Sequence, residues 1–589
     1  MAAKSYKEGK RDFMVKRFRT AMVLLIITVL ILTGCSNKQN GGTKDNNTAA
    51  GNAAELTSPS DNTANDSTAG NWTDAAAASV YASSEVVVDT EFTARDLEVG
   101  YEDSEATHIT FQGDRIDIEG AGAAVTDHLL TITGEGTYVM TGSLTEGQII
   151  VDAGDQDKVH LIFNGITVHC SDNAPVYIKN ADKVFITLAK DTGNTLTDGA
   201  DYILKDEVNV DGVIFSRADL TLNGEGTLTV TGHYKHGIVS KDDLVITGGV
   251  YEITAVKDAL NGKDCVKIKE GSFTLASSSG NGIQSKNDED STKGYVYISG
   301  GNFAITKCQE GIEGTVILIT GGTISITAED DGLNAASAGS STADTQSFET
   351  IPDRTAMPDR DAMPDRNMMP DGEAASEGAA ILDPAMTPDN AAAPAGTDQG
   401  GFDRRGFGGG MFENDPNCII VISGGMISID AKGDGIDSNG SLAILGGSIT
   451  VSGPTNSGNG ALDYAGTAEI SGGTVVIAGS AGMAQGFSET SAQYSILYNL
   501  STVCAAGSKI TLTDQQGNLL LSYTPNKQYQ SVVVSSPEME KDAVYTLTCA
   551  DQMADITISA IVSGNGQQGT GFGGMGGGRG AFPGQRNAQ

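Results

Sequence analysis

Residues 236–283 read HGIVSKDDLVITGGVYEITAVKDALNGKDCVKIKEGSFTLASSSGNGI, and one short phrase opens this stretch and returns twice within it. A polar residue is followed by a small and then an aliphatic one at His236-Gly-Ile, Asp258-Ala-Leu and Asn281-Gly-Ile. Outward from there the phrase continues as Asp211-Gly-Val on one side, and as Glu310-Gly-Ile, Asp331-Gly-Leu, Asp434-Gly-Ile and Gly460-Ala-Leu on the other. The early steps are 25, 22 and 23 residues. Each phrase leads into a second apolar run closed by glycine (LVITGG, VKIKEG, VYISGG, ILITGG, IVISGG, LAILGG, AEISGG), then a third such as VYEITA or TISITA. Three short period-2 strands per rung of about 22 residues, with no helical period between them, predict an all-β, right-handed parallel β-helix.

Composition agrees with closed coils of strand. Among 589 residues there are 76 glycines, 14 prolines and few aromatics, which disfavours a helix-rich enzyme around one compact core. The 75 acidic and 37 basic side chains leave a formal charge of -38. Clustered Lys and Arg are needed to neutralise phosphates, so no nucleic-acid partner is expected.

The ends of the chain read as address and tether. Basic residues from Lys4 to Arg19 precede an apolar stretch, Ala21 to Ile31, that is too short to span a bilayer comfortably. It ends in Leu32-Thr33-Gly34-Cys35, so residues 1–35 are expected to be a lipoprotein signal peptide with a lipobox, and Cys35 the lipidation site. Residues 36–84 are Asn, Thr, Ser, Ala and Gly with almost no large apolar residue, a flexible tether. These features place the protein outside the cell, anchored to the membrane by lipid. The β-helix is expected over 85–486, interrupted by a low-complexity insertion at 335–417 with its repeated Met-Pro-Asp. A small β cap follows at 487–562, closing the exposed end of the solenoid, then a Gly-rich tail at 563–589.

Pleat register sorts the strands. Leu244, Ile246, Val266, Ile268, Val296, Ile298, Ile317 and Ile319 point inward, whereas Val245, Lys267, Tyr297 and Leu318 share an outward column. Tyr251, Phe273 and Phe303 align with Ile324, Ile427, Ile449 and Val475, which makes them a core ladder instead of a sugar platform. Outward Tyr297, with Lys267 one rung below, is the candidate carbohydrate contact.

The polar columns carry the metal expectation. The first position of the phrase reads Asp258, Asn281, Glu310, Asp331, Asp434, and the fourth reads Asn261, Gln284, Glu313, Asn334, Asp437, Asp463, Gln485. Rungs lie about 4.8 Å apart, so neighbouring carboxylates repel by roughly 3 to 4 kcal/mol at an effective dielectric of 20. Lys241, Lys263 and Lys286 supply counter-charge in three consecutive rungs, and beyond them Glu310, Glu313, Asp330, Asp331, Asn334, Asp430, Asp434 and Asp437 lack such lysines. Crowded hard oxygen ligands favour Ca²⁺. The expected ligands are Asp258, Asn261, Glu310, Glu313, Asp330, Asp331, Asn334, Asp434 and Asp437; the competing reading is a column of solvated turns.

Other constellations are sparse. His233 and His236 read as a surface turn, the cysteines after Cys35 show no CxxC spacing, and there is no GxSxG or phosphate loop. No catalytic residue is assigned.

The segments EGQIIVDAGDQDKVHLIFNGI (146–166), FSRADLTLNGEGTLTV (215–230), HGIVSKDDLVITGG (236–249), DALNGKDCVKI (258–268) and VVVSSPEM (532–539) resemble the carbohydrate-binding β-helix family of clostridial cell-surface lipoproteins. The resemblance runs from about Glu85 to Val562 and departs from the family's usual Asp-Gly-Ile at His236-Gly-Ile and Asp258-Ala-Leu. It implies binding of cellulose or polyuronate, with calcium and without a demonstrated reaction. Two alternatives stand beside it. The fold is similar to that of pectate lyases, in which Lys263 or Lys286 would serve as base. A cell-surface scaffold or adhesin would instead hold cell-wall or protein partners through the insertion and tail.

Overall fold

The computed structural model describes residues 84–203, 209–338 and 414–566, together with a two-residue strand, Ala54–Glu55. The signal peptide, Cys35, nearly all of the tether, residues 339–413 of the insertion and the tail beyond Gly566 lie outside the described residues. What is described is all-β, with one helical turn at Asp103–Glu105 and long sheets of mostly parallel strands.

Each rung contributes a short first strand, such as Leu260–Gly262, a second, such as Cys265–Ile268, and a third, such as Ser272–Ser277. Each pairs in parallel with its counterpart one rung on: Leu260 with Ile283, Val266 with Val296, Phe273 with Phe303. Equivalent residues therefore stack directly, and the first strands form a twelve-stranded sheet from Ala123–Thr126 to Leu462–Tyr464. The inward residues named above, Leu244 to Ile319, are completely buried. The Tyr251, Phe273 and Phe303 rings stack at 5.1 and 4.5 Å in that core, with the Tyr251 hydroxyl donating to the Gly248 carbonyl.

The paired glycines mark corners where side chains do not fit. The second glycine takes φ between +83° and +102° at Gly249, Gly301, Gly322, Gly425, Gly447 and Gly473, where L side chains are strained. At the first, a Cβ on Gly424 would lie 2.4 Å from the Thr320 carbonyl oxygen of the rung below.

Residues at both edges of the expected insertion belong to the sheets. Leu333–Ala335 pairs with Ile436–Ser438, Ala335 and Ala336 are buried, and Asn417 accepts the Glu85 N–H at 2.7 Å. The limits 335 and 417 thus cut into packed structure. Near the C-terminus, Tyr529–Ser535 pairs antiparallel with both Ala468–Gly479 and Ser495–Cys504, so the terminal unit continues a sheet of the repeats.

A strap, residues 84–98, runs across the outer face of the second strands and corrects the expectation for Tyr297 and Lys267. Both point away from the core, as their pleat requires, yet they are only 7% and 4% exposed. Phe92 stacks on Tyr297 with ring centroids 6.0 Å apart, and the Lys267 ammonium reaches Asp89 Oδ2 and the Glu91 carbonyl, each at 2.7 Å. Val86, Val88 and Phe92 cover an apolar patch of Tyr295, Val316, Leu318, Ile419 and Val421. As folded, this face does not offer Tyr297 or Lys267 to a polymer.

The strap is pinned by Asp96, which is 2% exposed. Its carboxylate meets Lys183 Nζ at 2.8 Å and accepts the Thr221 hydroxyl at 2.6 Å, while its carbonyl accepts from Asn223 and Thr247. Burial alone would raise the Asp96 pKa, but hydrogen bonds from Lys183, Thr221 and Thr93 outweigh it and hold the group at about 2. A depressed carboxyl pKa stabilises the fold above the unfolded value of 3.8, and that contribution disappears as pH falls toward 2. Urea melts of Asp96→Asn against the parent should therefore differ by roughly 2 kcal/mol at neutral pH and converge near pH 2. A gap independent of pH would assign the loss to packing instead.

Candidate functional site

The two polar columns sit at one corner of the rungs, where the third strand hands over to the next first strand. The first-position side chains accept backbone N–H groups from the following rung. Asp258 Oδ1 accepts from Asn281 at 2.9 Å, Asn281 Oδ1 from Glu310 at 3.1 Å, Asp331 Oδ1 from Asp434 at 2.5 Å and Asp434 Oδ1 from Gly460 at 2.7 Å. This explains why the column is built of acids and amides: one oxygen of each of these four side chains caps the turn above it.

The fourth-position residues form a true ladder, with Asn261, Gln284, Glu313, Asn334, Asp437 and Asp463 paired rung to rung. Its lower half satisfies itself. Asn261 donates to Asp258 at 2.7 Å and to Gln284 at 3.0 Å, Gln284 donates to Glu313, and Asn281 donates to Glu313 at 2.5 Å. His236 Nδ1 lies 3.1 Å from the Asp258 carboxylate. Burial would raise the Asp258 pKa, but His236, then the Asn281 N–H and Asn261, bring it below the usual range. Asp258 and Asn261 are thus committed to a hydrogen-bond network.

Lysine placement differs from expectation. Lys286 reaches one rung up to pair with Glu313, so that carboxylate has a cation after all. Lys263 turns away from the ladder to Glu289 at 2.6 Å and Asp288 at 3.8 Å. The Glu289 hydrogen bond raises its pKa, the opposite of what a proton-abstracting base needs. Asp430 also leaves the stack, bound at 2.6 Å by Lys527 and at 2.7 Å by Asn526 of the terminal unit.

The upper half concentrates negative charge. Carboxylate oxygens of Asp434, Asp437 and Asp463 all lie within 4.8 Å of one another. Burial, then the charges of Asp434, Asp437, Asp330 and Glu310, push the Asp331 pKa well above the carboxylate range. Burial and Glu313 push Glu310 upward against the pull of Lys286 and Asn334. Gly433 leaves room for this crowding, since a Cβ there would sit 2.3 Å from Asp330 Oδ1 and 2.4 Å from Asp331 Oδ1. Asn334 lies between Glu313 and Asp437 and is 8% exposed; its amide donates to Glu310, while its Oδ1 is buried with no hydrogen-bond partner among the described residues.

An orphaned buried acceptor on a rung flanked by Glu313 and Asp437 fits an ion. Ca²⁺ takes oxygens at about 2.3 to 2.6 Å, a gap smaller than a water probe needs. The donor set is all oxygen, which suits Ca²⁺ over softer metals. Residues that could hold it are Asn334, Asp331, Asp434, Asp437 and Asp463, with Glu310, Glu313 and Asp330 alongside. Asp463 occupies the fourth-position column, but its rung carries Gly460 at the first position, which hid it as a ligand. The periodicity of the column was the signal that could have found it.

Residues 126–357 match the family model described as carbohydrate-binding domain-containing protein. A protein of that description from Acetivibrio thermocellus is 36% identical over 150 residues, covering 25% of this chain and 52% of its own length. The chain thus spans about half of that curated relative. A solved structure of the polysaccharide lyase-like protein from C. thermocellum, a gadolinium derivative, shares 31% identity over 39% of this chain and 92% of its own, with a TM-score of 0.36. The carbohydrate-binding match takes in Asp258 to Asn334; Asp437 and Asp463 follow it in sequence and join the same ladder through strand pairing, with Asp434 at the first position of the Asp437 rung.

Proposed function

We propose that this chain is an extracellular, calcium-dependent polysaccharide-binding lipoprotein built as a right-handed parallel β-helix, with polyuronate as its charged ligand. The observation that carries the reading is the oxygen-only ladder around the orphaned Asn334 Oδ1, which continues rung by rung out of the span matching carbohydrate-binding domains. A chain of net charge -38 repels an anionic polymer. A divalent ion shared between ladder carboxylates and uronate carboxylates turns that repulsion into attraction. With Lys263 and Lys286 both engaged by acids, binding without turnover is the better account of the corner.

The test is a pull-down on polygalacturonate and on cellulose, with calcium and with EGTA. Uronate capture should vanish in EGTA while cellulose capture, which needs no charge bridge, falls less. Undiminished uronate capture in EGTA overturns the bridge.

Membrane attachment rests on the Leu-Thr-Gly-Cys motif ending at Cys35. Cys35→Ala should move the protein from the membrane fraction to the soluble fraction, because a single acyl-bearing residue is then lost. Persistent sedimentation with membranes in that variant would remove the lipoprotein reading.

A further inference from the structure

The polar corner continues past Asp258 toward the N-terminus, and its charge balance changes there. The residues just before the first position of the phrase are Lys235 and Lys257 on consecutive rungs, with the Lys235 carbonyl accepting from the Val256 and Lys257 N–H groups at 3.0 and 2.7 Å. On later rungs that position holds Gly280, Gln309, Asp330 and Gly433. Lys241, Lys263 and Lys286 each lie against an acid. Lys235 and Lys257 have no carboxylate partner among the described residues; the Lys257 ammonium reaches the Ser279 carbonyl at 3.3 Å.

An aromatic pair stands beside them. Half-buried Tyr234 precedes Lys235 in the turn from Thr227–Thr231 to His236–Ser240, and its ring stacks on Tyr202 with centroids 4.3 Å apart at 19°. One buried carboxylate holds both residues. The Tyr202 hydroxyl reaches Asp198 Oδ2 at 2.7 Å, and Asp198 also accepts the His233 N–H at 2.5 Å and the Tyr234 N–H. A stacked partner and a pinned backbone fix the Tyr234 ring in advance, which removes part of the ordering cost of binding. Tyr202 covers one face of that ring. Over the other lies the Lys235 ammonium, 5.1 Å from the centroid, a contact that is weak near a protein surface.

We propose that Tyr234, Lys235 and Lys257 form a uronate subsite at the N-terminal end of this corner, one that needs no metal. A hexuronate presents what the group lacks: a carboxylate for two ammonium groups and an apolar C–H face for the electron-rich face of an aromatic ring. On a chain of net charge -38, neighbouring lysines without acids make a local patch that favours an anionic sugar over a neutral one. The inference rests on the reading of the chain as a polyuronate binder and extends it along the corner. From the Asp258 rung to the Asp331 rung is three steps, about 14 Å at the usual strand spacing, so a short stretch of polymer spans both the lysines and the ladder.

The probe is trigalacturonate, titrated calorimetrically into the full chain at low salt in EGTA, which keeps calcium off the ladder. Saturable binding is expected, weak enough to be lost in the washes of a polymer pull-down and falling as salt is added. Tyr234→Ala should weaken it at least tenfold. Because that change removes a stacked ring, Lys235→Gln with Lys257→Gln supplies a second measurement that leaves the packing in place. The lysine pair should also weaken trigalacturonate at least tenfold and erase the parent's preference for it over cellotriose. Calcium affinity without sugar should be the same in all three proteins, which separates failure of this subsite from failure of the calcium bridge. The subsite is overturned if the parent gives no saturable heat in EGTA, if it binds cellotriose as tightly as trigalacturonate, or if either variant binds trigalacturonate like the parent.

Discussion

The double replacement Asp434→Asn with Asp437→Asn is expected to weaken calcium binding by ~100-fold or more while leaving the fold intact. Two of the three carboxylates gathered within 4.8 Å would be neutral, leaving Asp463 as the remaining full charge of that group. The fold should survive because Asn at 434 retains an Oδ1 to accept the Gly460 N–H, the contact that caps the next turn. Removing like charges also relieves the repulsion that adds to burial in raising Asp331, so without calcium the variant should melt no lower than the parent. Isothermal titration with calcium, followed by the polygalacturonate pull-down, measures both effects. An affinity within threefold of the parent would return the ladder to a column of turn caps.

The second large effect lies in the core. Phe273→Ala should destabilise the protein by about 3 to 5 kcal/mol in denaturant unfolding, the usual result of emptying an aromatic position. Phe273 is 1% exposed and lies between Tyr251 and Phe303 in a continuous stack, so neighbouring rungs cannot collapse into the gap without breaking their own register. Polysaccharide binding by the folded variant should be unchanged, because these rings face the interior. A loss below about 1 kcal/mol would show that the stack contributes little packing.

Much of this architecture is legible from period-2 patterning, because a strand's pleat decides which side chains meet the core wherever rungs repeat. The same logic fails at Tyr297. Its pleat is outward, but outward means exposed only if nothing else covers the sheet, and the covering segment lies some two hundred residues away with no periodicity of its own. Charge partners are equally hard to read: Lys286 shares a rung with Gln284 yet reaches Glu313 on the next. Asp463 escaped for the converse reason, since the anchor expected three residues before it is Gly460.

The strap also bears on how the molecule assembles. Its contacts run backward along the chain, from Asn417 at Glu85, through Thr292 at Val87 and Lys267 at Asp89, to Lys183 at Asp96. The bond between Glu85 and Asn417 alone spans 332 residues. Rungs can form by adding one local strand pairing after another, a route of low contact order, whereas the strap has no seat until the coils up to Asn417 exist. A segment made before every coil it covers therefore docks only after them, and until it does, the apolar patch around Val316, Leu318 and Ile419 stays uncovered in the growing chain.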